Sequence, residues 1–162
     1  MMNFSSHGTQ DMYPTFLKTD HGIEAGRYTD MVMISMIGAI AGGVLFGLAS
    51  DRFGRRAAMI VAFIGAIAVI PLWGLSTSVA ALTTGAFLMQ FMVQGAWGVV
   101  PAQFAELTPA AVRATAPGLA YQLGGLVTSW NANAQSLAAE KWGSYRNVLA
   151  VSVVIVALSL AL

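Results

Sequence analysis

Apolar residues in this chain come in blocks of about twenty, and no other feature constrains the fold as tightly. A helix rises 1.5 Å per residue, so roughly twenty residues cross a 30 Å hydrocarbon layer. Of the 162 residues 57% are hydrophobic and 9% charged, whereas a soluble domain carries about 25% charged residues. So few charges cannot coat a globule of this size, and the chain is expected in a lipid bilayer. In lipid each segment must satisfy its own backbone hydrogen bonds, so apolar blocks joined by short connections predict an antiparallel helical bundle without strands.

Charged or Gly/Pro-rich breaks divide the chain into five clear spans and a partial one at the front. The partial span is 1–17. It is followed by 30–49, 57–75, 82–104, 115–138 and a short last span, 147–162, that lacks a polar flank. The first residues have neither the basic region nor the apolar run of a signal peptide, and both ends read as cut. The absence of cysteine excludes disulfides and thiolate metal sites, and no cofactor is expected. A net charge of +1 leaves no footprint for nucleic acid.

Four constellations carry chemistry. In the first span Asn3, His7, Gln10, Asp11 and Pro14 fall within an arc of roughly 100°, one polar stripe on an otherwise apolar helix. Ionisable groups at membrane depth are costly and usually line an aqueous path or a proton relay. Imidazole is the side chain that changes charge within physiological proton gradients, which points to His7 beside Asp11. His21, in the following loop, reads as structural. Between the second and third spans lies Gly47-Leu-Ala-Ser-Asp51-Arg52-Phe-Gly54-Arg55-Arg56. Gly47 permits a close helix contact, Asp51 could face a helix N-terminus, and the arginines can bind carboxylates or exposed helix C-terminal carbonyls. After the fourth span, Glu106, Pro109 and Arg113 form a turn in which Pro109 can start a helix and the two charges can reach each other or the Asp51/Arg52 cluster. The fifth span bears a second polar stripe, Tyr121, Gln122, Ser129, Asn131, Asn133 and Gln135.

These motifs carry a resemblance. The spacing G-x-x-x-D-R-x-G-R-R resembles the signature of the major facilitator superfamily, and E-x-x-P-x-x-x-R is similar to a turn of its sugar-porter-like members. Residues 3–15 fit N-x-x-[ST]-H-x-[ST]-Q-D-x-x-P-T, which resembles the helix-seven motif of the lactate/pyruvate permeases and sialate:proton symporters. Tyr121-Gln122-Leu123-Gly124 resembles a helix-eleven stretch of the same permeases, although Gly125 stands where they have Asn, so the exact substrate is not carried over.

The resemblance implies the C-terminal half, helices 7 to 12, of a twelve-helix all-α integral membrane transporter, in a plasma or bacterial inner membrane and lacking its N-terminal half. It implies symport of a small carboxylate with a proton. Asn3, His7, Gln10 and Gln122 would bind substrate, and His7 and Asp11 would couple the proton. Gly47, Asp51, Arg52, Gly54, Arg55, Arg56, Glu106 and Arg113 would form a cytoplasmic gate. Basic residues tie at four on each side (Arg52, Arg55, Arg56, Arg113 against Lys18, Arg27, Lys141, Arg146), so the arginine cluster is placed in the cytoplasm by its tight loop beside two helix ends and by the resemblance. A sialic acid or sugar carrier is the alternative within transport. An intramembrane enzyme lacks a nucleophile, metal-ligand set or phosphate loop near His7 and Asp11. A non-transporting membrane fragment is the third class.

Overall fold

The computed structural model describes residues 2–143, 145, 147–149, 151 and 154, with the side chains of 2–5 and 131–132 outside the described set. All regular structure among these residues is helical. Seven helices follow one another: α1 (Met2–Gln10), α2 (Tyr13–Thr19), α3 (Ala25–Phe53), α4 (Arg55–Ile70), α5 (Val79–Leu107), α6 (Ala116–Thr128) and α7 (Asn131–Trp142). A π turn, Pro71–Leu75, extends α4. Three helical stretches, Ala25–Phe53, Arg55–Leu75 and Val79–Leu107, are long and apolar enough to cross a membrane. The expected last span, 147–162, lies largely outside the described residues.

Two expected spans are each broken in two. The first ends as a helix at Gln10 and resumes at Tyr13, because Pro14 has no N–H to give the Gln10 carbonyl and its ring crowds that carbonyl. The fifth breaks at Ser129-Trp130. There the Thr128 hydroxyl donates to the Gly124 and Gly125 carbonyls at 2.9 and 3.1 Å, and the Ser129 hydroxyl to Leu126 at 2.7 Å. Hydroxyls that bond the preceding turn compete with the backbone ladder and bend or end a helix. The second and fourth spans extend beyond their apolar blocks, since the flanking polar residues keep helical backbone up to their caps. One such cap is Ser78, whose side chain accepts from the Ala81 N–H at 3.2 Å.

The seam between α3 and α5 brings two helix backbones into direct contact. Gly38 and Gly42 lie against the Phe87 and Phe91 backbone, and Gly98 of α5 lies against Gly43. Side chains at these positions would hold the backbones apart. The other side of α3 exposes Met33, Ile37, Ile40, Val44 and Leu48, an apolar row at helical spacing that suits lipid. At the opposite end from the arginines, α2 plugs the bundle. Tyr13, Phe16 and Leu17 are buried with Trp73, Leu82 and Met89, and Tyr13 stacks on Trp73 at 5.1 Å. The Tyr13 hydroxyl donates toward the Trp73 and Leu82 carbonyls, each at 3.2 Å, so the polar tip of the ring is satisfied within the core.

Candidate functional site

His7 and Asp11 meet across one helical turn, with Nδ1 of His7 3.1 Å from Oδ1 of Asp11. Asp11 falls at the break after α1, and its N–H still donates to the His7 carbonyl at 3.0 Å. The two side chains are 48% and 29% exposed, so the pair lies on an open side of α1 rather than inside a helix interface. An imidazole hydrogen-bonded to a carboxylate can take up or release a proton, changing the charge of the pair by one unit.

Gln10 is placed differently from the expected single stripe. It turns toward α5, where its Nε2 donates to Oε1 of Gln90 at 2.9 Å, and Gln90 is buried. Ser6 shares that face, its hydroxyl accepting from Gln94 Nε2 at 3.0 Å. From α7, Gln135 Nε2 donates to the Gly8 carbonyl at 3.1 Å. Ser6, His7, Gln10 and Asp11 therefore form two rows, 6/10 against α5 and 7/11 open. Gln122 is exposed on α6, beside Tyr121, whose ring meets Trp97 edge-on at 5.8 Å. The side chain of Asn3 lies outside the described residues. Gln90 and Gln94 are absent from the sequence-based site, although two amides spaced i, i+4 inside the apolar block 82–104 were a signal for them.

At the other end, Gly54 links α3 to α4 as a single residue with φ of +90°, a backbone region that side chains rarely adopt. That sharp link lets Asp51, in the last turn of α3, reach Arg55, the first residue of α4: Oδ1 lies 2.5 Å from Nη1. Arg55 also donates from Nε and Nη2 to Oε1 of Glu106 at 3.1 and 3.0 Å, tying α4 to the end of α5. A carboxylate at a helix C-terminus and a cation at an N-terminus both oppose the helix dipoles, so these charges are badly placed for helix stability and well placed for one another. Ser50, buried and missed by the sequence reading, accepts from Arg55 Nη1 at 2.6 Å and donates to the Gly47 carbonyl at 2.6 Å.

The expected turn differs in detail. Glu106 pairs with Arg55 rather than with Arg113, whose Nε donates to the Thr108 carbonyl at 3.2 Å. Arg52 and Arg56 are exposed and enter no ion pair among the described residues. Pro109 opens a run of turns, with the Val112 N–H donating to its carbonyl at 3.1 Å, and α6 begins only at Ala116, with Pro117 in its first turn. The described residues contain no group of His, Asp or Glu side chains able to hold a metal ion.

Helices long and apolar enough to cross a membrane, an exposed His–Asp pair at one level and an interhelical ionic cluster at the other place the chain in the class of helical membrane proteins. The family described as sugar (and other) transporter matches residues 1–162, and the chain belongs to that family of the major facilitator superfamily. It is 36% identical over 141 residues to a carboxylic acid transporter protein homolog of Saccharomyces cerevisiae, covering 86% of this chain and 23% of that protein. It is 26% identical over 125 residues to a cis,cis-muconate transport protein of Acinetobacter baylyi, covering 77% of this chain and 30% of that protein. The chain thus spans about a quarter to a third of the length of these relatives.

Proposed function

We propose that this chain is the C-terminal half of a proton-coupled symporter of small organic acids of the lactate/pyruvate type. The His7–Asp11 pair, at 3.1 Å on an open side of α1, carries the reading. With imidazole neutral and carboxylate ionised the pair bears one negative charge, and after taking a proton it bears none. A carboxylate entering with that proton leaves the site at the one negative charge it had when empty, and in a low-dielectric interior one negative charge is far cheaper to carry across than the two that the anion would make without the proton. Gln10, Gln122 and Asn3 supply amides suited to a carboxylate or a hydroxyl, with His7 the fourth contact. Arg55, with Asp51 and Glu106, forms an ionic latch at the cytoplasmic end, and Arg52, Arg56 and Arg113 stand around it. Single exposed pairs of this kind are individually weak, so they suit a switch that opens and closes in each cycle. The names of the yeast and Acinetobacter relatives, a carboxylic acid transporter protein homolog and a cis,cis-muconate transport protein, support the substrate class.

Counterflow in the complete transporter, with lactate, pyruvate, sialate and hexoses as competitors, tests the reading. Competition by lactate and pyruvate is the expected outcome. The description of the matched family favours one second reading, a sugar or sialic acid carrier, and competition by hexose or sialate alone would establish it.

A further inference from the structure

Two rows of polar side chains run along α1 one residue out of step, Ser6 with Gln10 and His7 with Asp11. Each row is spaced i, i+4, and a one-residue offset rotates it about 100° around the helix. Only the first row meets α5. Gln10 bonds Gln90 at 2.9 Å and Ser6 bonds Gln94 at 3.0 Å, so four steps back along α1 are four steps forward along α5, an antiparallel register pinned at two points. His7 lies in the chain between them.

We propose that Gln90 and Gln94 are positioning residues that clamp α1 in register and so set where the His7–Asp11 pair stands; the functional part of this proposal rests on reading that pair as the proton-coupling element. Apolar side chains alone would bury as well but would tolerate sliding by a fraction of a turn. A buried amide left without its partner is costly, which makes a slipped register unfavourable, as polar residues do in helix seams elsewhere. The clamp is mounted on a helix that is itself held. Phe91, next to Gln90, packs its backbone on Gly42, and a Cβ on Gly43 would lie 3.6 Å from the Gln94 carbonyl oxygen. Gln135 of α7, bonded to the Gly8 carbonyl at 3.1 Å, braces the same stretch.

The chain has two histidines, so ¹⁵N-histidine NMR of the chain in lipid nanodiscs reads His7 with His21 as an internal reference. Gln90→Leu and Gln94→Leu are expected to move the His7 ring resonances and leave those of His21. Met89→Leu, a volume-conserving change at a fully buried neighbour, is expected to move neither. If Gln90→Leu alone fails to fold, the pair Gln10→Leu with Gln90→Leu, which orphans no amide, should show the same His7 shift. His7 resonances unmoved by these changes, or moved equally by Met89→Leu, overturn the clamp. In the complete transporter Gln90→Leu is expected to lower proton-driven accumulation about tenfold, the scale of one lost buried hydrogen bond, while exchange of bound substrate persists. Exchange falling in step with accumulation would mean a merely structural role. A moved His7 signal together with normal uphill transport by His7→Asn would keep the clamp and refute proton coupling at the pair.

Discussion

Gly42→Ala tests the helix seam on which both ends of the site depend. A Cβ at Gly42 would sit 2.7 Å from the carbonyl carbon of Phe91 and 2.8 Å from its Cα. Ordinary contact begins near 3.4 Å, backbone atoms cannot rotate aside, and the Phe91 carbonyl oxygen would lie closer still, so α3 and α5 must part by more than about 0.7 Å. A gap of that size forfeits about a quarter to a half of the dispersion attraction of each atom pair across the seam. Overpacking of this kind costs about 1–3 kcal/mol, and the better helix propensity of alanine returns about 0.8–1 kcal/mol. Because the obstruction is backbone, the upper part of that range applies, and the net loss is about 1–2 kcal/mol. Gly43→Ala is the matched control. Its Cβ would meet only the Gln94 carbonyl oxygen at 3.6 Å, an ordinary contact, so it keeps the propensity gain of up to about 1 kcal/mol. Adjacent glycines in one helix should therefore shift stability in opposite directions. Unfolding in mixed micelles titrated with SDS measures both, and Gly42→Ala as stable as Gly43→Ala would refute the seam.

Three further outcomes are expected. Asp11→Asn in the complete transporter should abolish uphill uptake while sparing exchange, measured as proton-driven accumulation against counterflow; intact accumulation would remove Asp11 from coupling. Asp51→Lys places a cation beside Arg55 and Glu106→Gln removes the charge that ties α4 to α5, so both should raise accessibility from the cytoplasmic side. A cysteine at exposed Arg52 reports it by labelling rate, whereas Ser50 is buried and holds Arg55, so a probe there would disturb the latch; an unchanged rate at Arg52 counts against it. The 162-residue chain alone in proteoliposomes should insert but show no saturable transport, and proton-dependent uptake of lactate above empty vesicles would refute the half-transporter reading.

Helix content, the three long spans and the local pairs were legible in the sequence. Apolar length and an i, i+4 interval are one-dimensional quantities, and they suffice to expect a membrane bundle, the His7–Asp11 contact and a charged cluster around Asp51 and Arg52, which the structure centres on Arg55. The link from α3 to α4 was legible for the same reason, since Gly54 lies between charges four residues apart. The breaks at Asp11-Met12 and Ser129-Trp130 had signals in Pro14 and in the adjacent hydroxyls of Thr128 and Ser129, which the apolar run concealed.

Tertiary structure decided which side of each helix meets which neighbour. Gln10 reaches Gln90 across 80 residues of chain, Gln94 reaches Ser6 across 88, and Gln135 reaches Gly8 across 127. Periodicity shows that a helix has a polar stripe; it does not show that the stripe divides, one row docking on α5 and the next left open. In the same way, sequence order brings Glu106 to a helix end near the arginine loop, but the choice of Arg55 over Arg113 follows from how α4 packs on α5. The physical reason is that a helix is specified by its own residues, whereas its rotation and register are specified by the closest approach of two backbones. Here that approach is set by glycines lying against another helix's carbonyls.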